Sequence, residues 1–107
     1  MPAGTLKMTE ATAGKKKNMR LTLYVAGQSL NSARARANLN QALDRHGLKQ
    51  IQPEIVDIYE HRERTLQDKV LLTPMLVLKS PSDRHTLVGD LSITEPLDLL
   101  LDYLEAS

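Results

Sequence analysis

Residues 70–79 read VLLTPMLVLK, a Thr73-Pro74 step between a charged stretch and an apolar run. The residue before a proline is steered away from the α region. The helix-rich segment EHRERTLQDKVLL (60–72) is therefore expected to end at that step, with Leu66, Val70 and Leu72 as its buried anchors. MLVLK (75–79) then reads as a strand. Toward the C-terminus, SPSD (80–83) is turn chemistry and HTLVG (85–89) a further strand, so the two runs form a hairpin. Toward the N-terminus, QIQPEIVDIY (50–59) reads as a strand with its core at Ile55, Val56 and Ile58. Pro53 has no N–H for a ladder and pushes the start of that strand to an edge or a bulge.

The flanks complete the order. In MRLTLYVAG (19–27), Leu21, Leu23 and Val25 alternate with Thr22 and Tyr24, the period of a strand, stopped by Gly27. NSARARANLNQALDRHG (31–47) is helical, capped by Asn31 or Ser32 and closed by Gly47 after Arg45-His46. Ala35, Leu39, Ala42 and Leu43 share one face, and the small alanines let that face lie close to a sheet. Ser92 and Glu95 of SITE make a capping box, with Pro96 tolerated in the first turn. Leu97, Leu100, Leu101 and Leu104 follow at helical spacing, with Asp98, Asp102 and Glu105 on another face. The order is β-α-β-α-β-β-α. Read as two parallel units followed by a hairpin and a helix, it predicts an α/β sandwich of thioredoxin-like topology.

The bulk properties narrow the function. A chain of 107 residues with 41% hydrophobic and 25% charged residues suits one domain. The expected division is a disordered leader over 1–18 and the domain over 19–107. The net charge of +1 is uneven: residues 1–18 carry Lys7, Lys15, Lys16 and Lys17 against Glu10, leaving ten basic and twelve acidic residues beyond them. The folded part is thus mildly acidic and offers no basic face to nucleic acid. The lysine run reads as a solvated tail. No apolar segment suits a signal peptide or a membrane span, which makes the cytoplasm the expected location. The chain has no cysteine, which excludes disulfides, thiolate metal sites and thiol chemistry. In a thioredoxin-like layout the reactive pair would follow the first strand; GQSLNS (27–32) stands there, with Ser29, Asn31 and Ser32 read as caps. His46, His61 and His85 lie on different elements without metal-ligand spacing. EHRER reads as Glu60–Arg64 pairing one helical turn apart, and Gly89 stands without the companions of a phosphate loop. No catalytic residue, metal or cofactor is expected.

Several of these segments together resemble one family. LTLYVAG (21–27), NSARA (31–35), IVDIY (55–59), DKVLLTPML (68–76) and LVGDLS (87–92) are similar, in order and spacing, to the motifs of the circadian clock KaiB proteins, over about residues 20–104. The resemblance implies a non-enzymatic regulator that docks on the N-terminal ATPase domain of a hexameric KaiC-like partner. It also implies a metamorphic chain, with a thioredoxin-like monomer as the docking state and a tetramer-type α/β fold as the alternative for the C-terminal half. Homo-oligomers, dimer or tetramer, are implied too. In clock members the edge strand captures KaiA and meets competition from the sensor domain of a histidine kinase.

The resemblance, with the edge position of the second strand, assigns partner binding to Ile55, Asp57, Glu60, Arg62, Arg64, Asp68 and Lys69. It assigns the fold switch to Thr73, Pro74, Gly89 and Asp90. An X–Pro bond interconverts in tens to hundreds of seconds, so Pro74 reads either as a gate to slow refolding or as a plain helix stop. The capping box and leucine stripe favour the thioredoxin-like state. Tyr59-Glu60-His61-Arg62 replaces a Lys-Asn-Pro segment of the family, His85-Thr86 replaces a basic pair, and the proline-rich turn is reduced to Pro81. These departures imply a divergent member tuned to a different KaiC-like ATPase. Two other readings stand beside it: a stress-response protein acting outside any oscillator, and a cysteine-free thioredoxin-fold enzyme.

Overall fold

The structure is a computed structural model that describes residues 19–106; the expected leader lies outside the described residues. Strand β1 (Arg20–Val25) leads into helix α1 (Leu30–Arg45) and strand β2 (Glu54–Asp57). The short helix α2 (Arg62–Gln67) follows, then the hairpin of β3 (Met75–Lys79) and β4 (Arg84–Val88), then helix α3 (Thr94–Ala106). The four strands form one sheet in the order β2-β1-β3-β4. β1 and β2 are parallel, with Leu23 beside Ile55 and Tyr24 beside Val56. β3 runs antiparallel to β1 and to β4.

That direction corrects the expectation of two parallel units. A parallel crossover needs a helix that carries the chain back along the sheet, whereas the six residues of α2 rise only about 9 Å. The chain therefore re-enters the sheet at the end where β2 left it, with Met75 beside Tyr24.

Alternation along the strands divides the sheet into two unequal faces. Leu21, Leu23, Val25, Leu76 and Leu78 pack with Ala35, Leu39, Ala42 and Leu43 of α1 and the leucine stripe of α3. This is the main core, and Ala35 and Ala42 of α1 are fully buried in it. The opposite face holds a smaller cluster of Tyr24, Val56, Met75 and Val77, with Ile58 and Val70 partly buried against it.

Local chemistry moved several boundaries. Ser29 is the N-cap of α1, its Oγ accepting from the Ser32 amide at 3.2 Å. Ser32 is buried inside the helix, where its Oγ accepts from the Ala26 amide at 3.1 Å; neither it nor Asn31 is the cap. α3 begins at Thr94. The Ser92 amide donates to Asp90 Oδ1 at 3.0 Å and so serves the loop before the helix. α2 ends at Gln67, well before the Thr73-Pro74 step, and buries none of its residues. Leu66 is 77% exposed and Leu72 64%, so of the three expected anchors only Val70 touches the core. The reason is Asp68, whose buried carboxylate is drawn down to the sheet, followed by Lys69 at a φ of +56°.

Candidate protein-docking face

β2 is paired on one side only, by β1, and its outer edge is free among the described strands. Ile55 is 38% exposed on that edge, consistent with Pro53 at the strand's entrance. Asp57 closes the strand. Its Oδ1 accepts from the Tyr59 amide at 2.9 Å, and its carbonyl accepts from the amides of Glu60 and His61 at 3.0 and 3.1 Å. The edge strand thus leads through a short turn into α2, with Glu60 exposed on the turn and Arg62 exposed at the start of the helix.

A polar network on the smaller face fixes α2 against all four strands. Arg64 grips the Glu54 carboxylate with both terminal nitrogens, tying α2 to β2. The Tyr24 hydroxyl, on β1, donates to Asp68 Oδ2, and Lys79 Nζ, on β3, donates to Asp68 Oδ1 at 2.8 Å. Arg84, on β4, donates to the Asp68 carbonyl. Asp68 is only 7% exposed, and a buried carboxylate is tolerated when charge and hydrogen bonds compensate it. Burial pushes its pKa up, but the bonds from Lys79 and Tyr24 outweigh that and hold it below the ordinary value. The Tyr24 phenol is pushed up to about 12, by burial first and then by the Asp68 carboxylate it serves. Glu54 is held low and Arg64 high by their mutual bond.

The residues singled out for partner binding are therefore contiguous but not equivalent. Ile55, Glu60, Arg62 and Lys69 are exposed. Arg64 and Asp68 are engaged inward. The four residues singled out for a fold switch also converge: the Thr73–Pro74 bond is cis, the Gly89 amide donates to the Pro74 carbonyl at 2.9 Å, and Gly89 has a φ of +114°. The Asp90 carbonyl accepts from Asn38 Nδ2 at 2.8 Å, linking this junction to α1.

Reasoning from sequence missed two groups. Glu54, Tyr24, Lys79 and Arg84 complete the network; Tyr24 carried a signal, as the one large polar-tipped residue opposite the leucines of β1. The second group is apolar: Tyr59, Leu66, Leu71 and Leu72 are 71%, 77%, 91% and 64% exposed around the charged stretch. Apolar character concealed this, together with the helix-rich setting of the three leucines, since both pointed to burial. At the N-terminus of α1, where thiol chemistry would sit, the Ser29 and Ser32 hydroxyls bond each other at 2.8 Å. No helix of the described residues is long and apolar enough to cross a membrane.

The chain is similar to known proteins in both sequence and shape. The family model for the KaiB domain matches residues 22–103. The circadian clock protein KaiB3 of Synechocystis sp. is 34% identical over 84 residues, 78% of this chain and 82% of that protein. The circadian clock oscillator protein KaiB of Cyanothece sp. is 35% identical over 89 residues, 83% of this chain and 85% of that protein. Among solved structures, chloroplastic thioredoxin z superposes with a TM-score of 0.67 at 13% identity, covering 91% of this chain and 86% of that one. The thioredoxin Deadhead of Drosophila melanogaster gives 0.66 at 14% identity, covering 86% of each. The thioredoxins establish the fold alone. The matched domain, spanning the strand edge, the α2 network and the Pro74–Gly89 junction, places this chain in the KaiB family.

Proposed function

We propose that this protein is a non-enzymatic, cytoplasmic regulator that docks on a KaiC-like hexameric ATPase within a clock or clock-derived timing system. The observation that carries the reading is the free edge of β2 continuing into an exposed, charged and apolar α2 that an internal network holds in place. Edge strands accept partners through backbone hydrogen bonds, and charged flanks set specificity and association rate. In this reading Ile55 and Asp57 present the edge, Glu60, Arg62 and Lys69 supply the charges, and the exposed leucines supply apolar contact. Arg64 and Asp68 act by holding α2. The Thr73, Pro74, Gly89 and Asp90 junction is the hinge at which the C-terminal half exchanges folds, with a dimer or tetramer as the assembly of the alternative fold. A histidine kinase sensor domain of thioredoxin-like shape would compete for the β2 edge. Relatives that carry the name of circadian clock oscillator proteins support the timing role.

Co-elution on a sizing column tests the reading, using the KaiC-like hexamer of the same organism with ATP and incubations of minutes and of hours. A complex is expected, formed quickly if the docking-competent fold dominates and slowly if it is a minor state. Absence of a complex at both times, with a hexamer shown to hydrolyse ATP, overturns the function and leaves the family standing.

A further inference from the structure

A single imidazole ties the end of α1 to one side of α3. His46 is the C-cap of α1, and its side chain is 13% exposed. Its Nε2 lies 2.9 Å from Asp98 Oδ1, and its Nδ1 lies 3.1 Å from Glu105 Oε2 and 3.5 Å from Asp102 Oδ1. Asp98, Asp102 and Glu105 form one stripe along α3, separate from the buried leucines 97, 100, 101 and 104. From the His46 side, Arg45 reaches Asp98 Oδ1 at 2.8 Å, while the neighbouring Asp44 is paired with Lys49 at 3.3 Å. Three carboxylates thus converge on a site served by one fixed cation and one titratable ring.

The two protonation states fit this site unequally. A neutral imidazole donates through one nitrogen and turns the lone pair of the other toward a carboxylate. An imidazolium donates through both, satisfying Asp98 and Glu105 together. A positive charge also suits the C-terminal end of α1.

We propose that His46 is a proton-operated clamp: protonated, it pins α3 onto the end of α1, and deprotonated, it loosens that docking. The hydrogen bonds to Asp98 and then Glu105 outweigh burial and raise the folded imidazole above its ordinary 6.5. A raised value means that the stabilisation is fully present below 6.5 and is lost as the pH rises through the folded value. The opposite limit is set by Asp98, which His46 and Arg45 hold below 3.8. Its share is present above that value and lost as the pH falls through the folded one. The clamp is therefore fully closed from the carboxylate range up to 6.5 and opens as the pH rises through the folded imidazole's raised value. Each unit by which the imidazole exceeds its ordinary value is about a tenfold change in the docking equilibrium. The leucine stripe holds α3 in either state, so the change is a loosening of the helix and not its loss.

The test is an NMR titration of the His46 ring in the full chain, in EDTA, across about pH 5–9, combined with hydrogen exchange of the α3 amides. The expected result is a midpoint above 6.5 and opening of α3 that becomes several-fold more frequent across it, after correction for intrinsic exchange. His46→Gln flattens that dependence, and Glu105→Gln, at a half-exposed position, moves the midpoint back toward the ordinary value. A midpoint at or below 6.5 overturns the clamp. So does α3 opening that ignores pH in the wild type, or the same pH dependence surviving in His46→Gln.

Discussion

Replacing Tyr24 with Phe isolates the contribution of one hydroxyl. The ring is fully buried, so Phe fills the same space and leaves no cavity. What disappears is the bond to Asp68, which then keeps only Lys79 on its carboxylate. A hydrogen bond to a charged group contributes about 1.5–3 kcal/mol. Because Lys79 still neutralises the carboxylate, the expected loss is about 2 kcal/mol. For a domain of this size each kcal/mol moves Tm by about 4–8 °C, so the midpoint should fall by roughly 8–16 °C. In urea, with a slope near 1–1.5 kcal/mol/M, the midpoint should drop by about 1.5 M with the slope unchanged. The pH dependence carries an independent signature. Asp68 is held below 3.8, so its contribution is present above that value and lost as the pH falls through the folded one. The gap between wild type and Tyr24→Phe should therefore narrow in acid. Combined with Asp68→Asn, the two changes should be strongly non-additive. A loss below about 0.5 kcal/mol, or additive effects in the double variant, would refute the network as the fastener of α2.

Other substitutions probe the rest of the fold. Gly27→Ala should cost about 1–2 kcal/mol in urea melts, since the residue sits at a φ of +56° where an L side chain is strained. The Tyr59 ring at 3.8 Å from the added methyl offers ordinary contact and no clash. Leu101→Ala, at a fully buried position of α3, should lose about 2–5 kcal/mol and fray α3 first in hydrogen exchange. Ser29→Ala should lose about 1 kcal/mol through the cap of α1, while Asn31→Ala should leave chemical denaturation unchanged.

Legibility in the sequence followed the range of the interactions concerned. Alternation in β1, the SPSD turn and the leucine stripe of α3 are local signals, and each led to the observed element. Strand direction was not legible, because a period of two is the same forwards and backwards. The extent of α2 was not legible either. Its helix formers run to Leu72, but Asp68 stops the helix by joining Tyr24, 44 residues away. That bond also decides which charges of the candidate face turn inward and which remain exposed. In the sequence Ser29 is one of several equivalent caps, since its role depends on Ser32 turning back to bond Ala26. The leucines at 66, 71 and 72 look like core until the short helix leaves them outside.

The central claim is that the β2 edge and α2 form the docking surface. Hydrogen exchange of this protein, free and in complex with the KaiC-like hexamer, maps that surface residue by residue. The account predicts new protection at the amides of Glu54–Asp57 and across Glu60–Lys69, with the amides of α3 unaffected by direct cover. Protection concentrated on α1 or α3, with the β2 edge exchanging as in the free protein, would contradict it.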